Sequence, residues 1–204
     1  MTSKYNPTYK AQATVLRSHV LELHTTASQS SYLEACAGVM RYTYNSLVAR
    51  WRAGEKYNRR VFQGHCVTLR QRTPFMQAVS SRATYEAADH FYRAVKNFFT
   101  SCSGERSGRK MKPPTFKKKG RSTTKVNFSH CKQFSIDGRK LKISGLKEEI
   151  RMRENIRFKG QVKALSIKLV AGKWFASFLV ELAKTRLAKT TSEQKPSVGV
   201  DLGI

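Results

Sequence analysis

The feature that most constrains the fold of this chain is a change in the spacing of its apolar residues near residue 105. Before this point apolar residues recur at intervals of three and four, which is typical of amphipathic helices. After residue 125 they alternate with polar residues, which is typical of half-buried strands. With 204 residues the chain can bury a substantial core. We therefore expect an α+β fold in which a helical part precedes most of an antiparallel β part.

The first half of the chain is predicted to contain three helices. The first carries an apolar stripe over residues 32–51 and closes near Gly54, and polar residues just before it supply several N-cap candidates. The second covers 61–71 and ends before a proline, and the third carries a stripe over 88–102. We expect the aromatic residues of the third stripe to pack in the core. The basic side chains off that stripe, Arg93 and Lys96, would then be free to face a phosphate backbone.

The second half is predicted to be an antiparallel sheet or small barrel. Four short alternating runs follow residue 125, with Asp137-Gly138 as a turn signal, and two longer strands then meet at residues 171–173. Residues 14–23 also read as a strand, although neither of its faces is purely apolar. Residues 183–196 lose the alternation and read as an interdomain linker. The final strand is therefore expected to begin a new domain.

The charge of the chain predicts a polyanionic partner. Lysine and arginine number 39 against 13 aspartates and glutamates, a formal net charge of +26. Such an excess opposes compaction unless a polyanion shares the surface, and nucleic acid is the first partner to expect. An anionic membrane is the alternative, but no run approaches the ~18 apolar residues of a membrane span. Residues 106–125 contain nine basic residues and no acid, which favours contact with nucleic acid over a merely solvated linker.

The cysteines and the N-terminal residues indicate an intracellular, cytoplasmic protein. The four cysteines are far apart and form no CxxC pair, as expected for reduced thiols rather than a disulfide framework. Two His-Cys doublets, at 65–66 and 130–131, lack the close paired spacing of a metal site. The first ten residues contain no apolar signal region.

Four motifs occur in an informative order. They are RYTYNSLVARW at 41–51, YRAVKNFF at 92–99, PPTFKKKG at 113–120 and VGVDLGI at 198–204. Together they make the chain resemble the TnpB family of transposon-encoded RNA-guided nucleases and the related compact type V CRISPR effectors. Each motif is weak alone, and the resemblance rests on their order along essentially the whole chain.

The resemblance implies a domain organisation. Residues 1–24 and 105–185 would form an antiparallel, β-barrel-like wedge domain, and residues 25–104 would be a helical recognition domain inserted into it. Residues 186–195 would be a linker. Residues 196–204 would be the first strand of a RuvC nuclease domain with an RNase H-like fold. A protein of this kind would be cytoplasmic, and associated with the prokaryotic nucleoid when bound to DNA.

The resemblance also implies a catalytic residue. Asp201 matches the family's first catalytic aspartate, which helps to hold two Mg²⁺ ions for phosphodiester hydrolysis. A lone aspartate in an apolar strand is otherwise most often a turn or cap residue. The family's later acidic ligands have no counterpart in the chain, so the 204 residues are not expected to be catalytic alone. A zinc ribbon of the family type would also have to lie in a part that is not present.

The resemblance assigns nucleic-acid contacts as well. Those for DNA beside the target are Ser81, Arg82, Tyr85, Lys125 and Asn127. Those for the phosphates of a guide RNA are Lys117, Lys118, Lys119 and Arg121, which would position the RNA rather than read its sequence.

Three functional hypotheses follow. The first is that the chain is the binding portion of an RNA-guided DNA endonuclease, whose partners are a guide RNA and double-stranded target DNA. The alternative is a nuclease-free RNA-guided DNA-binding regulator. A ribosomal-type RNA-binding protein also agrees with the charge, but leaves residues 198–204 without a role. The oligomeric state stays open.

Overall fold

The structure is a computed structural model that describes residues 14–56 and 58–183. These residues form an α+β fold with three α-helices and a seven-stranded, antiparallel, nearly closed barrel-like sheet. The helices are α1 (Ala27–Arg52), α2 (Arg59–Arg72) and α3 (Ser81–Cys102), and the strands are β1 (Thr14–His24), β2 (Lys125–Phe128), β3 (Phe134–Asp137), β4 (Lys140–Ile143), β5 (Ile150–Met152), β6 (Gln161–Val170) and β7 (Lys173–Ala183). The predicted α+β class is confirmed at this level.

The first strand lies in the middle of the sheet. The strand order is β2-β6-β7-β1-β5-β4-β3, and β1 pairs with β7 along its whole length, from Thr14↔Ala183 to Leu23↔Trp174. At its far end β1 also pairs with β5. All three helices are therefore inserted in the chain between β1 and the rest of the sheet.

The faces of β1 explain its mixed sequence. Three alternate side chains point into the core and are buried: His19, Leu21 and Leu23. Leu16 and Val20 lie on the opposite face and are exposed. The buried histidine is accommodated because the Arg157 backbone N–H donates to its Nδ1, at 3.3 Å, so that its Nε2 carries the proton and donates to Glu154 Oε1.

The predicted hairpin of the two long strands is confirmed, and its turn has a simple cause. Ala171 and Gly172 both have positive φ, 47° and 77°, between the paired residues Val170 and Lys173. Two successive left-handed residues are what a two-residue type I′ turn requires. The alternate side chains that follow are buried in the core: Trp174, Ala176, Phe178 and Val180.

Helix α1 begins at Ala27, before the predicted apolar stripe that starts at Tyr32. Thr26 caps it in a capping box: Thr26 Oγ1 accepts from the Gln29 N–H, and Gln29 Oε1 accepts from the Thr26 N–H at 3.0 Å. Gln29 also donates from Nε2 to the Glu149 carbonyl at 3.1 Å. The first turn of α1 is held by hydrogen bonds rather than by apolar packing. Its residues are therefore polar and lie outside the apolar stripe.

Helix α1 joins two hydrophobic clusters. Its first half, including Leu33 and Met40, packs in a large cluster with the inner face of the sheet. Its second half, including Leu47 and Val48, packs in a smaller cluster with α2 and α3. The helical part and the sheet are thus held together by one long helix that contributes to both cores.

The aromatic stripe of α3 is only partly buried. Phe91 is fully buried, as expected for a core stripe, whereas Phe99 is 46 % exposed. The expectation of core packing is therefore wrong for Phe99, because by this point α3 has passed beyond the small cluster. The rings of Phe98 and Trp51 lie beside it, at 5.4 and 6.5 Å between centroids. The predicted helix end is confirmed, with Gly104 in the left-handed region just after it.

Several predictions fall on residues that the structure does not describe. These are the linker beyond residue 183, the final strand and Asp201. Among the described residues, none of the helices has the length and apolar character needed to cross a bilayer.

Candidate nucleic-acid interface

Residues 106–125, which we call the basic segment, dock on the helices although they form no helix and only begin a strand at Lys125. The Met111 backbone N–H donates to Ser101 Oγ at 2.9 Å, which ties the start of the segment to the end of α3. Further along, the guanidinium of Arg52 lies over the ring of Phe116, 4.9 Å from its centroid. These contacts hold the basic segment against α1 and α3.

A side-chain amide of α1 anchors the middle of the basic segment. Asn45 Nδ2 donates to the Lys117 carbonyl at 3.0 Å, and the Lys117 N–H donates to Asn45 Oδ1 at 2.8 Å. The amide thus satisfies both backbone groups of one residue, as a neighbouring strand would. Because Lys117 lies in an irregular segment, no other secondary structure fixes it at this point.

The anchor places the side chain of Lys117 in a half-buried position. Its Nζ lies 3.8 Å from the ring centroid of Tyr44 and 3.3 Å from His90 Nδ1. Burial, and secondarily the charge of Lys125, lowers the pKa of Lys117 to about 8. Burial, with Lys117 next in effect, lowers the pKa of His90 to about 4, so this imidazole is neutral near pH 7 and its Nδ1 can accept from the ammonium.

Lys117 faces a cleft of about 220 Å³, which we call the basic cleft. Its apolar lining comes from Ala37 and Met40 of α1 and Ala87 of α3, and the rest of its lining is polar or basic. The polar and basic residues that line it are Arg41, His90, Lys117, Ser122, Thr123, Thr124, Lys125 and Asn127. None of the described residues lining it is a carboxylate. Its composition suits an anion.

A second depression, the serine groove, continues from the basic cleft onto the outer face of the sheet. It shares His90, Lys125 and Asn127 with the cleft and adds Arg93 from α3. Its polar side chains come from adjacent strands: the amide of Asn127 lies opposite Ser166 on β6, and Ser166 lies opposite Ser177 on β7. Cleft and groove together form one continuous polar surface between α3 and the sheet.

Glu86 forms part of the wall of the serine groove and joins α3 to the sheet. The side chain is only 4 % exposed. Its Oε1 accepts from the Ser129 N–H at 3.1 Å, from the Ser129 hydroxyl, and from Gln133 Nε2 at 3.3 Å. These bonds hold the turn after β2 against α3.

The structure brings together only some of the predicted contact residues. Lys117, Lys125 and Asn127 meet in the basic cleft. The other predicted DNA contacts lie on the first turns of α3 as exposed side chains that do not line the cleft: Ser81, Arg82 and Tyr85. The other predicted RNA contacts lie exposed on the basic segment: Lys118, Lys119 and Arg121.

Three residues of the motif at 41–51, none of them predicted as a contact, help to build the cleft. Arg41 lines the cleft, Tyr44 carries the Lys117 ammonium on its ring, and Asn45 anchors the segment. Their spacing of three and four places them on neighbouring positions of one helix face, and this signal was present in the sequence. His90 had no such signal, because nothing in its own sequence context distinguishes it from a core histidine.

The cysteines form no metal centre in this part of the chain. Within residues 14–56 and 58–183, no three histidine, cysteine or acidic side chains lie close enough to hold a metal ion. Cys36 and Cys66 are buried free thiols, and burial raises their pKa values to about 11 and about 12. Cys102 and Cys131 are free and exposed.

A scan against protein-family models and a search of curated proteins each found no match to this chain. The resemblance to the TnpB family therefore continues to rest on the four motifs and their order, and it stays a prediction.

Proposed function

We propose that this chain is the N-terminal, nucleic-acid-binding portion of an RNA-guided DNA endonuclease. In this proposal the seven-stranded sheet is the wedge domain and the three helices are the recognition domain. The observation that carries it is topological: the helices are inserted between β1 and the remaining strands, and the basic segment docks where helices and sheet meet. That is the organisation which the four motifs imply.

The charge distribution supports a nucleic-acid partner. Most basic residues have no acidic counterpart, since the chain carries a net charge of +26. In a guided complex, base pairing supplies sequence specificity and the protein holds the backbone and a short flanking duplex. Lys118, Lys119 and Arg121 are exposed on a docked segment, so they can contact phosphates while the segment keeps its position.

The polar surface between α3 and the sheet supports contact with duplex DNA. Asn127, Lys125 and Arg93 line it. Asparagine reads adenine edges, and arginine and lysine bind phosphates or guanine. Ser81, Arg82 and Tyr85 lie further towards the start of α3 on exposed positions, where a duplex that extends past the groove would meet them.

The proposed nuclease centre depends on Asp201, which lies outside the described residues. Bound Mg²⁺ would polarise the scissile phosphate and activate water. Asp201 is the residue of this chain that would hold it, and further ligands would come from residues that the chain does not contain. The described residues serve only binding in this proposal.

The first experiment is to purify the chain and to sequence the RNA that copurifies with it. A single defined non-coding RNA is expected. Heterogeneous or ribosomal RNA would contradict any guided function and favour a general RNA-binding protein.

A second experiment separates the endonuclease from a nuclease-free regulator. The reading frame beyond Ile204 is expected to encode a glutamate motif, a CxxC pair and a second aspartate. In that longer protein Asp201→Ala should abolish Mg²⁺-dependent cleavage and leave RNA and target binding close to wild type. Loss of binding would mean that Asp201 is structural, and a stop directly after Ile204 would favour the regulator.

A further inference from the structure

We propose that the basic cleft is a binding site for one phosphodiester group and that it takes up a proton when the phosphate binds. The site deepens the proposed function, because it rests on a nucleic-acid partner. It requires neither a guide RNA nor a nuclease domain, so the two proposals can fail separately.

Three cations from three different parts of the chain converge on the cleft. Arg41 comes from α1, Lys117 from the anchored part of the basic segment, and Lys125 from the first position of β2. The hydroxyls that line the same cleft come from three consecutive residues: Ser122, Thr123 and Thr124. Arginine and lysine supply charged donors and the hydroxyls supply neutral ones, which together suit the two non-bridging oxygens of a phosphodiester.

These three cations have no counter-ion in the part of the chain that the structure describes. Among the described residues, none of the ion pairs within 4 Å involves Arg41, Lys117 or Lys125. Glu86 is the carboxylate that lines the adjoining groove; its Oε1 accepts from Ser129 and Gln133, and its Oε2 is buried without a hydrogen-bond partner within residues 14–56 and 58–183. Bringing like charges together without an anion is unfavourable, so a bound phosphate would relieve the repulsion.

The surroundings of Lys117 make it the group that responds to an anion. It faces Tyr44 from α1, His90 from α3 and Lys125 from β2, with Arg41 and Arg93 as the other cations of the cleft and groove. Its pKa is lowered to about 8 by burial and by Lys125. A phosphate placed between the two lysines favours the charged ammonium and raises this pKa again.

Because phosphate binding and protonation of Lys117 are coupled, the direction in which the binding affinity changes with pH can be stated. If the bound state has the higher pKa for Lys117, binding takes up a proton, and affinity falls as the pH rises through about 8. His90 and Tyr44, which also face Lys117, do not change charge in this range. His90, with a pKa of about 4, is already neutral, and burial raises the pKa of Tyr44 above its ordinary value.

The test is the affinity of the 204-residue chain, freed of nucleic acid, for short oligonucleotides between pH 7 and pH 9 at constant ionic strength. Single-stranded RNA, single-stranded DNA and duplex DNA of about 12 nucleotides per strand would be compared by fluorescence anisotropy. The protonated fraction of Lys117 falls from about nine-tenths to about one-tenth over this range, so the affinity should fall about tenfold. Phosphodiester groups keep their charge throughout.

Matched variants test whether Lys117 is the residue that takes up the proton. Lys117→Arg should remove the pH dependence, because guanidinium stays charged, whereas Lys119→Arg on the exposed part of the same segment should keep it. Lys125→Met removes the second cause of the lowered pKa, so the midpoint of the pH dependence should move above 8. This variant provides an independent reading should Lys117→Arg disturb the fold.

The outcomes are decisive in both directions. A pH dependence with RNA alone assigns the phosphate to RNA, and one with duplex DNA alone assigns it to DNA; either result supports the site. An equal fall in wild type and Lys117→Arg, together with an unmoved midpoint in Lys125→Met, would overturn it, as would a flat profile with all three probes. The identity of copurified RNA has no bearing on these profiles, so failure of the guided function would be seen separately.

Discussion

The side-chain amide of Asn45 binds both backbone polar groups of Lys117, 72 residues further along the chain, at 3.0 and 2.8 Å. One residue of α1 thus fixes the position of an irregular segment that carries nine basic residues. A segment of such charge would otherwise repel itself and stay extended in solution. The anchor therefore converts a run of charge into a surface of defined shape.

Asn45→Ala should release the basic segment. It removes two hydrogen bonds, each contributing about 0.5–1.5 kcal/mol, so docking of the segment should weaken by roughly 1–3 kcal/mol. Trypsin should then cleave between residues 109 and 121 at least several-fold faster under native conditions, as followed by mass spectrometry. Asn97→Ala, an exposed position on α3, is the control and should leave the cleavage rate unchanged. Equal rates in both variants would show that the anchor is dispensable.

Glu86→Ala should strongly destabilise the protein. The substitution leaves the Ser129 N–H and Gln133 Nε2 without their acceptor at a buried site, which should lower the free energy of unfolding by about 3 kcal/mol. Glu86→Gln keeps one acceptor oxygen and should lower it by about 1 kcal/mol. Urea denaturation measures both, and exposed Glu105→Ala is the control, expected within about 0.5 kcal/mol of wild type. If Glu86→Ala lowered the free energy of unfolding no more than the control does, Glu86 would not be needed to hold α3 against the sheet.

Local patterns predicted those parts of the fold that local forces determine. The β6–β7 hairpin follows from alternation and from a turn whose second residue is Gly172. The end of α3 likewise follows from Gly104, which needs no partner elsewhere in the chain. The apolar stripe did not mark the start of α1, because Gln29 is kept in a polar first turn by capping and by a bond to Glu149. The N-cap itself, Thr26, is one of the polar residues predicted as candidates.

The candidate site is formed by contacts between residues far apart in the sequence, so local sequence patterns could not predict it in full. A run of lysines is most often solvated, and nothing near Lys117 in the sequence distinguishes it from Lys118 or Lys119. Its burial arises only when Asn45 and Tyr44, 72 and 73 residues earlier in the chain, pack against it. His90 becomes part of the cleft for the same reason. The pairing of such residues is a property of the tertiary fold.

Gly145→Ala should be costly. Gly145 has a φ of 86°, and an added Cβ would overlap the hydroxyl of Tyr32 and lie 2.9 Å from Ser80 Cβ. That hydroxyl donates to the Ser144 carbonyl and accepts from the Ser80 N–H, so both bonds would be displaced. We expect a loss of about 2–3 kcal/mol in the free energy of unfolding.

A second glycine is the control for this prediction. Gly38 lies within α1 and an added Cβ would meet no atom within 4 Å, so Gly38→Ala should stabilise the protein by up to about 1 kcal/mol. Chemical denaturation of the two variants side by side measures the difference. The same sign for both would contradict the close approach at Gly145.

The four cysteines should divide into two reactive and two protected thiols. Burial raises the pKa values of Cys36 and Cys66 to about 11 and about 12, so neither forms thiolate near pH 8. Native protein at that pH should therefore react at two thiols with a chromogenic disulfide reagent, and denatured protein at four. In Cys102→Ser combined with Cys131→Ser, native reactivity should be close to zero. Rapid reaction of four thiols in the native state would show that the core opens.

The central place of β1 also has a consequence for synthesis on the ribosome. The side chains of Ser18 and Ser177, which meet across β1 and β7, are 159 positions apart. At about 5–20 residues per second, β1 emerges roughly 8–30 s before the strand it pairs with along its whole length. During that interval the nascent chain can form its helices, whose contacts are local, but cannot complete its sheet. Leu16 and Val20, exposed even after folding, would be among the residues that a holding chaperone meets first.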